Sequence, residues 1–211
     1  MKIIDLTHPI GIGTPGFPGC ARIVGWPLSE IASKEYNMLH ISTDLHTGTH
    51  LDAALHCVPN GRDTAQIPLE DCIGEAYVLD LTHKGAKGAH FEISDFEAHA
   101  DAIRGCGKLL IKTGWSCHWN TPNYHDNFPG FKREAAQYIV DLGLRLIGVE
   151  QASIHPEDHL EVHRIFFKQN VVIVEGLANM AELPLGLVEF SAAPWRFEGG
   201  DGSLVRAYAR V

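Results

Sequence analysis

A short segment in the first quarter of the chain combines metal-binding and proton-transferring side chains. Residues 46–56 read His-Thr-Gly-Thr-His-Leu-Asp-Ala-Ala-Leu-His, with three imidazoles and one carboxylate in eleven positions. Imidazole is the commonest metal ligand in proteins and titrates close to neutral pH. This segment could therefore supply both metal ligands and a proton carrier.

Geometry limits how the segment can bind one ion. In a strand, His46, His50 and Asp52 share a face. A straight strand would hold the two histidines about 13 Å apart, whereas two nitrogens on one zinc-like ion each lie about 2 Å from it. Because Gly48 has access to backbone angles closed to other residues, we expect a strand end or tight turn there, with His46, His50 and Asp52 converging.

A second group of possible ligands follows about a hundred residues later in the chain. His155, His159 and His163 recur every four residues, so a helix would place His159 and His163 on one face. Glu150 and Glu175 each end an apolar run, and sites in α/β folds gather where strands end. Spacing does not choose between the two glutamates, nor between His159 and His163.

Alternating strands and helices must position these residues. One helix is predicted from Lys132 to Leu142, stopping at Gly143, and another begins at Pro156 and ends before Val171. This alternation indicates an α/β or α+β fold. Strands are predicted at 2–6, 76–81, 108–112, 145–149 and 171–175.

Length and composition limit the class of protein. The 211 residues are 45% apolar, which suits one domain spanning 1–211. A net charge of −9 with 17 scattered Lys and Arg residues argues against nucleic-acid binding. Apolar runs are too short for a membrane span and the first residues too polar for a signal peptide, so we expect a soluble, cytoplasmic protein. The five cysteines lack a Cys-x-x-Cys pair and are expected to be reduced, mostly buried and not metal ligands.

Several motifs together resemble one known family. They are His-Thr-Gly-Thr-His-Leu-Asp at 46–52 followed by His56, Lys-Thr-Gly-Trp at 112–115, Leu-Glu-Val-His at 160–163 and Ile-Val-Glu-Gly at 173–176. The sequence resembles, nearly end to end, the cyclase-like metal-dependent hydrolases, which include bacterial kynurenine formamidase and isatin hydrolase. The resemblance implies a single-domain α/β chain of the swivelling β/β/α type, with a mixed central sheet flanked by helices.

The same resemblance implies a set of metal ligands. By it, His46, His50 and Asp52 bind a first divalent metal, and Asp52 also bridges to a second metal held by His163 and Glu175. The resemblance thereby selects His163 and Glu175 from the candidates that spacing left open. The metal is expected to be zinc or manganese, with one or two ions per subunit.

The resemblance also implies an activity. His56 matches the family's catalytic acid/base, which predicts hydrolysis of an amide C–N bond, in a formamide or cyclic amide of an aromatic small molecule, by a metal-activated water. Phe17 stands where kynurenine formamidases have a tryptophan that packs on the substrate ring, so it is a candidate substrate-binding residue. Ala54 and Glu150 replace a proline and an aspartate usual in the family. A homodimer or higher homo-oligomer is implied as well.

Other functions remain to be weighed. A family member could act on an ester or lactone, and a non-catalytic metal-binding protein would have no need of His56. Residues 11–16 match the dinucleotide-binding pattern Gly-x-Gly-x-x-Gly, but Pro15 and Pro18 disfavour the helix that this pattern requires. A serine hydrolase is disfavoured because Gly-x-Ser-x-Gly is absent.

Aromatic residues are concentrated in one segment, 115–128, among prolines and asparagines. This composition predicts an irregular loop, and such loops often carry binding residues. The rings could contact an aromatic substrate or pack on the core, and the sequence leaves both possibilities open.

Overall fold

The computed structural model describes residues 1–14 and 16–211. The strands of this part of the chain are Ile3–Asp5 (β1), Val24–Ser29 (β2), Met38–Ser42 (β3), His50–Asp52 (β4), Ile73–Asp80 (β5), His90–Phe91 (β6), Lys108–Lys112 (β7), Gly130–Phe131 (β8), Leu146–Val149 (β9), Val172–Glu175 (β10), Gly186–Ser191 (β11), Gly202–Leu204 (β12) and Tyr208–Arg210 (β13). The α-helices are Ile31–Lys34 (α1), Leu69–Cys72 (α2), Ala100–Cys106 (α3), Arg133–Asp141 (α4) and His159–Phe167 (α5).

One mixed sheet organises the molecule. Its nine strands lie in the order β1-β13-β11-β5-β7-β9-β10-β4-β12. Strands β5, β7, β9 and β10 run parallel, and α3, α4 and α5 lie in the connections between them, as parallel strands require. All five predicted strands belong to this sheet. The structure therefore confirms an α/β fold with a mixed central sheet flanked by helices.

Both faces of the central strands are buried. Ile173 packs with helix residues such as Ile139 and Phe166 in one core cluster. The next residue, Val174, packs in a second cluster on the opposite face, with Leu6 and Phe190. Because successive strand residues point to opposite faces, β10 reads as an unbroken apolar run that ends at its only charged residue.

One helix boundary differs from its prediction. Helix α4 confirms the helix predicted over 132–142, but α5 begins at His159, so the predicted start at Pro156 is wrong. The reason lies in His155, whose ring Nδ1 accepts hydrogen bonds from the backbone N–H groups of residues 157 and 158. This side chain holds the segment in a turn that delays the helix.

The dinucleotide-binding pattern does not open a helix in this structure. Residues 11–14 and 16–20 form turns and bends, while Pro15 lies outside the described residues. No helix in the described part of the chain is long and apolar enough to cross a membrane.

All five cysteines are free, as expected. Cys72 and Cys106 are buried, Cys57 is half-buried, and Cys20 and Cys117 are exposed. The prediction that they are mostly buried is therefore wrong. The two exposed cysteines lie in turns outside the sheet, where the chain does not pack on both sides.

Strands β2 and β3 form a separate antiparallel pair, here called the arm (residues 24–42). Every residue of β3 and most of β2 are exposed, although the sequence of both strands is rich in large apolar residues. A lone two-stranded pair is marginally stable in water. Residues 1–14 and 16–211 therefore leave most of the arm uncovered.

Candidate metal centre

The cluster predicted at residues 46–52 forms where the chain enters β4. Gly48 adopts a positive φ of 68°, which turns the chain before His50 and confirms the predicted bend. The turn brings Nδ1 of His46 to 2.6 Å from Oδ1 of Asp52, and Nε2 of His50 lies 3.3 Å from the same oxygen. Strand β10 pairs antiparallel with β4 and places Glu175 opposite His50.

His163 from α5 completes the convergence. Its Nε2 lies 3.2 Å from Oε1 of Glu175 and 3.5 Å from Oδ2 of Asp52. Two groups of potential ligands result, His46–His50–Asp52 and Asp52–His163–Glu175, and within each group the donor atoms lie within 4.8 Å of one another. The two groups share Asp52.

The alternatives that spacing left open occupy other places. Glu150 accepts hydrogen bonds from the backbone N–H of Ser116 and the hydroxyl of Thr113, at a separate buried position. The His159 ring belongs to neither donor group, although its centroid is only 6.4 Å from that of His163, and the backbone carbonyl of His159 lies 2.6 Å from Nδ1 of His163. The structure therefore groups His163 and the β10 glutamate with the first cluster.

Backbone carbonyls orient two of the histidines. Nδ1 of His50 lies 3.0 Å from the carbonyl oxygen of Gly48, just as Nδ1 of His163 faces that of His159. Because a carbonyl oxygen only accepts, each ring must donate from Nδ1, which leaves Nε2 unprotonated toward the carboxylates when the ring is neutral. Metal-ligating histidines in proteins are commonly held in this way.

Sequence reasoning missed Asp201. Its Oδ2 lies 3.1 Å from Nε2 of His46 and 3.4 Å from Nδ1 of His56. Asp201 comes directly before β12, which pairs with β4. Its sequence signal was an aspartate between two glycines near the end of the chain, which gave no reason to connect it with residues 46–56.

The carboxylates of Asp52 and Glu175 are deeply buried, with exposures of 1% and 4%. Burial alone would raise the pKa of Asp52, but the charges of His50 and His46 hold it well below its usual value. Burial would likewise lower the pKa of His163, yet the nearby carboxylates of Asp52 and Glu175 raise it to about 10. The site therefore favours two negative carboxylates compensated by positive charge.

This donor set fits a divalent metal. Oε1 of Glu175 is buried and accepts no well-formed hydrogen bond, an arrangement that a cation would satisfy. Imidazole nitrogens with carboxylate oxygens suit zinc and also manganese. Burial, reinforced by the charge of Asp52, raises the pKa of the Cys57 thiol to about 11, so a thiolate ligand is disfavoured, as expected.

His56 lies beside the two groups, in the 3₁₀ turn Ala54–His56 that follows β4. Its ring centroid is 4.2 Å from that of His46 and 5.7 Å from that of His163. Burial lowers the pKa of His56, an effect that the charge of Asp52 opposes. His46, His56 and Asp201 also place ligand atoms within 4.8 Å of one another, but the Asp52-centred groups do not include His56.

A cavity of about 210 Å³ opens over this cluster. Phe17 lies at the cavity, with its ring centroid 6.1 Å from that of His159 and 5.5 Å from that of His125. The other lining residues combine donor groups with small and apolar side chains: Cys20, His46, His50, Asp52, His56, Ala152, Ser153, His159, Leu160, His163 and Glu175.

The aromatic segment 115–128 has a mixed role. It contains two 3₁₀ turns, and Trp115, Tyr124 and Phe128 are buried in a core cluster of their own. Trp119 packs against that cluster and stacks on the ring of His8. Trp115 and Phe128 are therefore structural, whereas Trp119, Tyr124 and His125 line a small cavity beside His46 and His50.

Comparisons with known proteins agree with this geometry. The family model described as putative cyclase matches residues 4–156. A kynurenine formamidase from Bacillus cereus is 29% identical over 212 residues, covering 98% of this chain and 96% of the relative.

Two solved structures share the fold. One, described as a potential metal-dependent hydrolase with cyclase activity, is 30% identical, with a TM-score of 0.81 and coverage of 99% of this chain and 96% of that chain. Isatin hydrolase A from Labrenzia aggregata superposes with a TM-score of 0.84 at 24% identity, covering 99% of this chain and 93% of its own. The motifs, the fold and the family match together show that the chain belongs to the putative cyclase family.

Proposed function

We propose that the chain is a metal-dependent hydrolase of amide C–N bonds. The observation that carries the proposal is the pair of donor groups that share Asp52, with the imidazole of His56 beside them. The end-to-end similarity to a kynurenine formamidase, and to a structure described as a potential metal-dependent hydrolase, supports it.

The proposed ligands divide into two sites. His46, His50 and Asp52 would hold a first zinc or manganese ion, and Asp52, His163 and Glu175 a second. A bound divalent cation supplies Lewis-acid polarisation and a water of lowered pKa. The chain's own contribution is to aim the donor atoms inward and to fix the rings through their outer nitrogens.

His56 is the proposed general acid/base. It would take a proton from the attacking water and return it to the leaving amine, a role worth roughly 10²–10⁴ in rate. Its Nδ1 faces Asp201, and no side-chain or backbone partner of the described residues engages its Nε2. An imidazole with one free nitrogen at the cavity is suited to that exchange.

The volume and the lining of the cavity limit the class of substrate that it can bind. Its volume of about 210 Å³ is below the ~300–1,000 Å³ common for drug-sized ligands, which suits a single-ring compound. Phe17 offers an aromatic face at the cavity, and no lysine or arginine lines it among the described residues. These features favour an uncharged aromatic formamide or cyclic amide. An aromatic ester or lactone is the second candidate, because the same donor groups polarise any acyl carbonyl.

A substrate panel tests this function. N-formylanilines, isatin-like lactams and phenyl esters would be incubated with chelator-treated protein and with the same protein after zinc or manganese is restored. We expect metal-dependent hydrolysis of the C–N substrates. Turnover without metal, or turnover of esters alone, would contradict an amidohydrolase. The cytoplasmic location stays a prediction.

We also propose that the chain forms a homodimer through the arm. Eight large apolar residues of residues 24–41 are each about half exposed. Because Trp26 pairs with His40 and Pro27 with Leu39, the residues lie on both faces of the arm, and the partner must cover both. At roughly 100 Å² apiece they then approach the ~800 Å² per partner of a standard interface. They are Val24, Trp26, Leu28, Ile31, Tyr36, Met38, Leu39 and Ile41.

Sedimentation equilibrium tests the dimer. The double variant Trp26→Ser/Leu39→Ser should be monomeric at micromolar concentration, where the parent chain is dimeric, because it removes two large apolar groups from the arm. Leu69→Ser, which changes an equally exposed leucine outside the arm, is the matched control and should stay dimeric. A monomeric parent chain, or a double variant that dimerises normally, would contradict the proposed interface.

A further inference from the structure

Asp201 links two histidines to which different roles are proposed. A single oxygen, Oδ2, lies within hydrogen-bond distance of Nε2 of His46 and Nδ1 of His56. The two rings lie side by side, with centroids 4.2 Å apart. A carboxylate oxygen has the capacity to accept from both.

The orientation of His46 differs from that of the other ligand histidines. His50 and His163 face the carboxylates with Nε2 and are held by backbone carbonyls at Nδ1. His46 faces Asp52 with Nδ1, so its outer nitrogen is Nε2, and among the described residues the side chain of Asp201 is its only outer partner. The ring of His46 therefore depends on a side chain where the other two depend on the backbone.

The local backbone is built around this contact. The carbonyl of Asp201 accepts the N–H of Ala53, next to β4, and β12 continues the pairing from Gly202. A Cβ on Gly202 would lie 2.7 Å from Cε1 of His46, so the imidazole packs directly against the glycine backbone. Asp201 and Gly202 thus form one surface that fixes the ring from its outer side.

The carboxylate of Asp201 faces a ring nitrogen of each histidine. An ionised carboxylate accepts stronger hydrogen bonds than a neutral group. It also favours N–H on the ring nitrogen that faces it, which is how carboxylates set histidine tautomers.

We propose that Asp201 is a positioning residue that fixes both tautomers at once, directing Nδ1 of His46 to the first metal and leaving Nε2 of His56 free to exchange protons. The inference rests on the proposed function for the role of His56. The part of the inference that concerns metal binding involves His46 alone, and it can be measured without any substrate. If Asp201 had only a structural role, that role would be its backbone hydrogen bond with Ala53. The variant Asp201→Ala keeps this hydrogen bond.

The test compares Asp201→Ala with Asp201→Asn and a control. The alanine variant removes the acceptor, whereas asparagine keeps an acceptor oxygen without the charge. Glu198→Ala removes an exposed acidic residue of the same loop that contacts neither histidine, and should match the parent chain. Far-UV circular dichroism and thermal unfolding would confirm that each variant is folded.

Two of the measurements do not depend on enzymatic activity. Zinc affinity, measured by competition with a chelator, should fall about 10–100-fold in Asp201→Ala and by less in Asp201→Asn. Ring ¹⁵N chemical shifts of the zinc-loaded protein should show His46 protonated at Nε2 and His56 at Nδ1 in the parent chain, and a mixed tautomer for His56 in Asp201→Ala. The zinc effect should persist in a His56→Ala background, because it acts through His46.

The third readout is kinetic. At saturating metal, Asp201→Ala should lower kcat by about 10²-fold while KM changes little, because His56 loses its orientation but the cavity is intact. Zinc affinity within twofold of the parent chain together with unchanged ring shifts would overturn the proposal. A parent chain that hydrolyses nothing would remove the proposed function, and the zinc and ¹⁵N readouts would still decide on Asp201.

Discussion

Asp52 is the residue on which both donor groups depend. Its Oδ1 lies 2.6 Å from Nδ1 of His46, and its Oδ2 lies 3.5 Å from Nε2 of His163. A buried carboxylate that turns one oxygen to each group would serve both of the proposed metal sites. Removing it should therefore affect both sites, whereas removing His163 should affect one.

Metal content tests this difference. Asp52→Asn should retain no tightly bound metal after gel filtration, and His163→Ala should retain about one ion where the parent chain retains two, as measured by elemental analysis. His159→Ala is the matched control, because it keeps the backbone carbonyl that faces Nδ1 of His163 and removes an imidazole that belongs to neither donor group; it should retain the parent content. Loss of both ions in His163→Ala, or full content in Asp52→Asn, would contradict a shared aspartate.

Strand β12 pairs with β4 and thereby places Asp201 and Gly202 against the outer side of the His46 ring. Register places Gly202 opposite Asp52, and the missing side chain of Gly202 makes room for the ring of His46. The neighbouring strand β10 brings Glu175 opposite His50. The two strands that flank β4 thus complete the face that carries the proposed metal ligands.

A glycine substitution tests this element. Gly202→Ala should weaken zinc binding by at least tenfold, because the new Cβ would lie 2.7 Å from Cε1 of His46 and must displace the ring. Gly105→Ala, in helix α3, is the control: nothing lies within 4 Å of its added Cβ, and alanine favours the helix by about 0.5–1 kcal/mol. Unchanged zinc affinity in Gly202→Ala would show that the ring does not depend on this contact.

Local patterns predicted much of this arrangement. Continuous apolar runs predicted the central strands because both faces of those strands are buried, and Gly48 predicted the turn because only a bend brings His46 to Asp52. The predicted start of α5 was wrong because a side-chain hydrogen bond of His155 overrides the helix signal of Pro156. The partnership of Asp201 with His46 arises from strand register across 155 residues of chain, which no local pattern records.

At the scale of the whole molecule, a buried histidine links the N-terminal segment to the aromatic segment 115–128. His8 is 8% exposed and stacks on Trp119 with ring centroids 4.3 Å apart. Burial lowers the pKa of His8 to about 4, and its Nε2 has no hydrogen-bond partner in the described residues. The folded state therefore holds this ring neutral.

Acid should destabilise the fold through His8. Between pH 6.5 and about 4 the unfolded chain binds a proton at this residue that the folded chain does not, so its contribution to stability is full above pH 6.5 and falls as the pH is lowered. The difference between the pKa of His8 in the unfolded and folded chain corresponds to at most about 3 kcal/mol in the free energy of unfolding.

His8→Phe keeps a ring on Trp119 and should lose this part of the acid dependence. Urea unfolding of both chains at pH 7.5 and pH 4, with chelator present, gives the difference. His83→Phe removes an exposed imidazole and serves as the control. An equal free-energy difference between parent and His8→Phe at both pH values would contradict the assignment.

In the proposed mechanism, His56 transfers protons beside the metal centre without being one of its ligands. The most direct test measures turnover and metal content together in His56→Ala, on the best substrate of the panel. Turnover should fall by at least 10²-fold, because the proton carrier is lost, while the metal content equals that of the parent chain. Loss of metal in this variant would make His56 a ligand, and undiminished turnover with full metal would remove it from catalysis; either result contradicts the account.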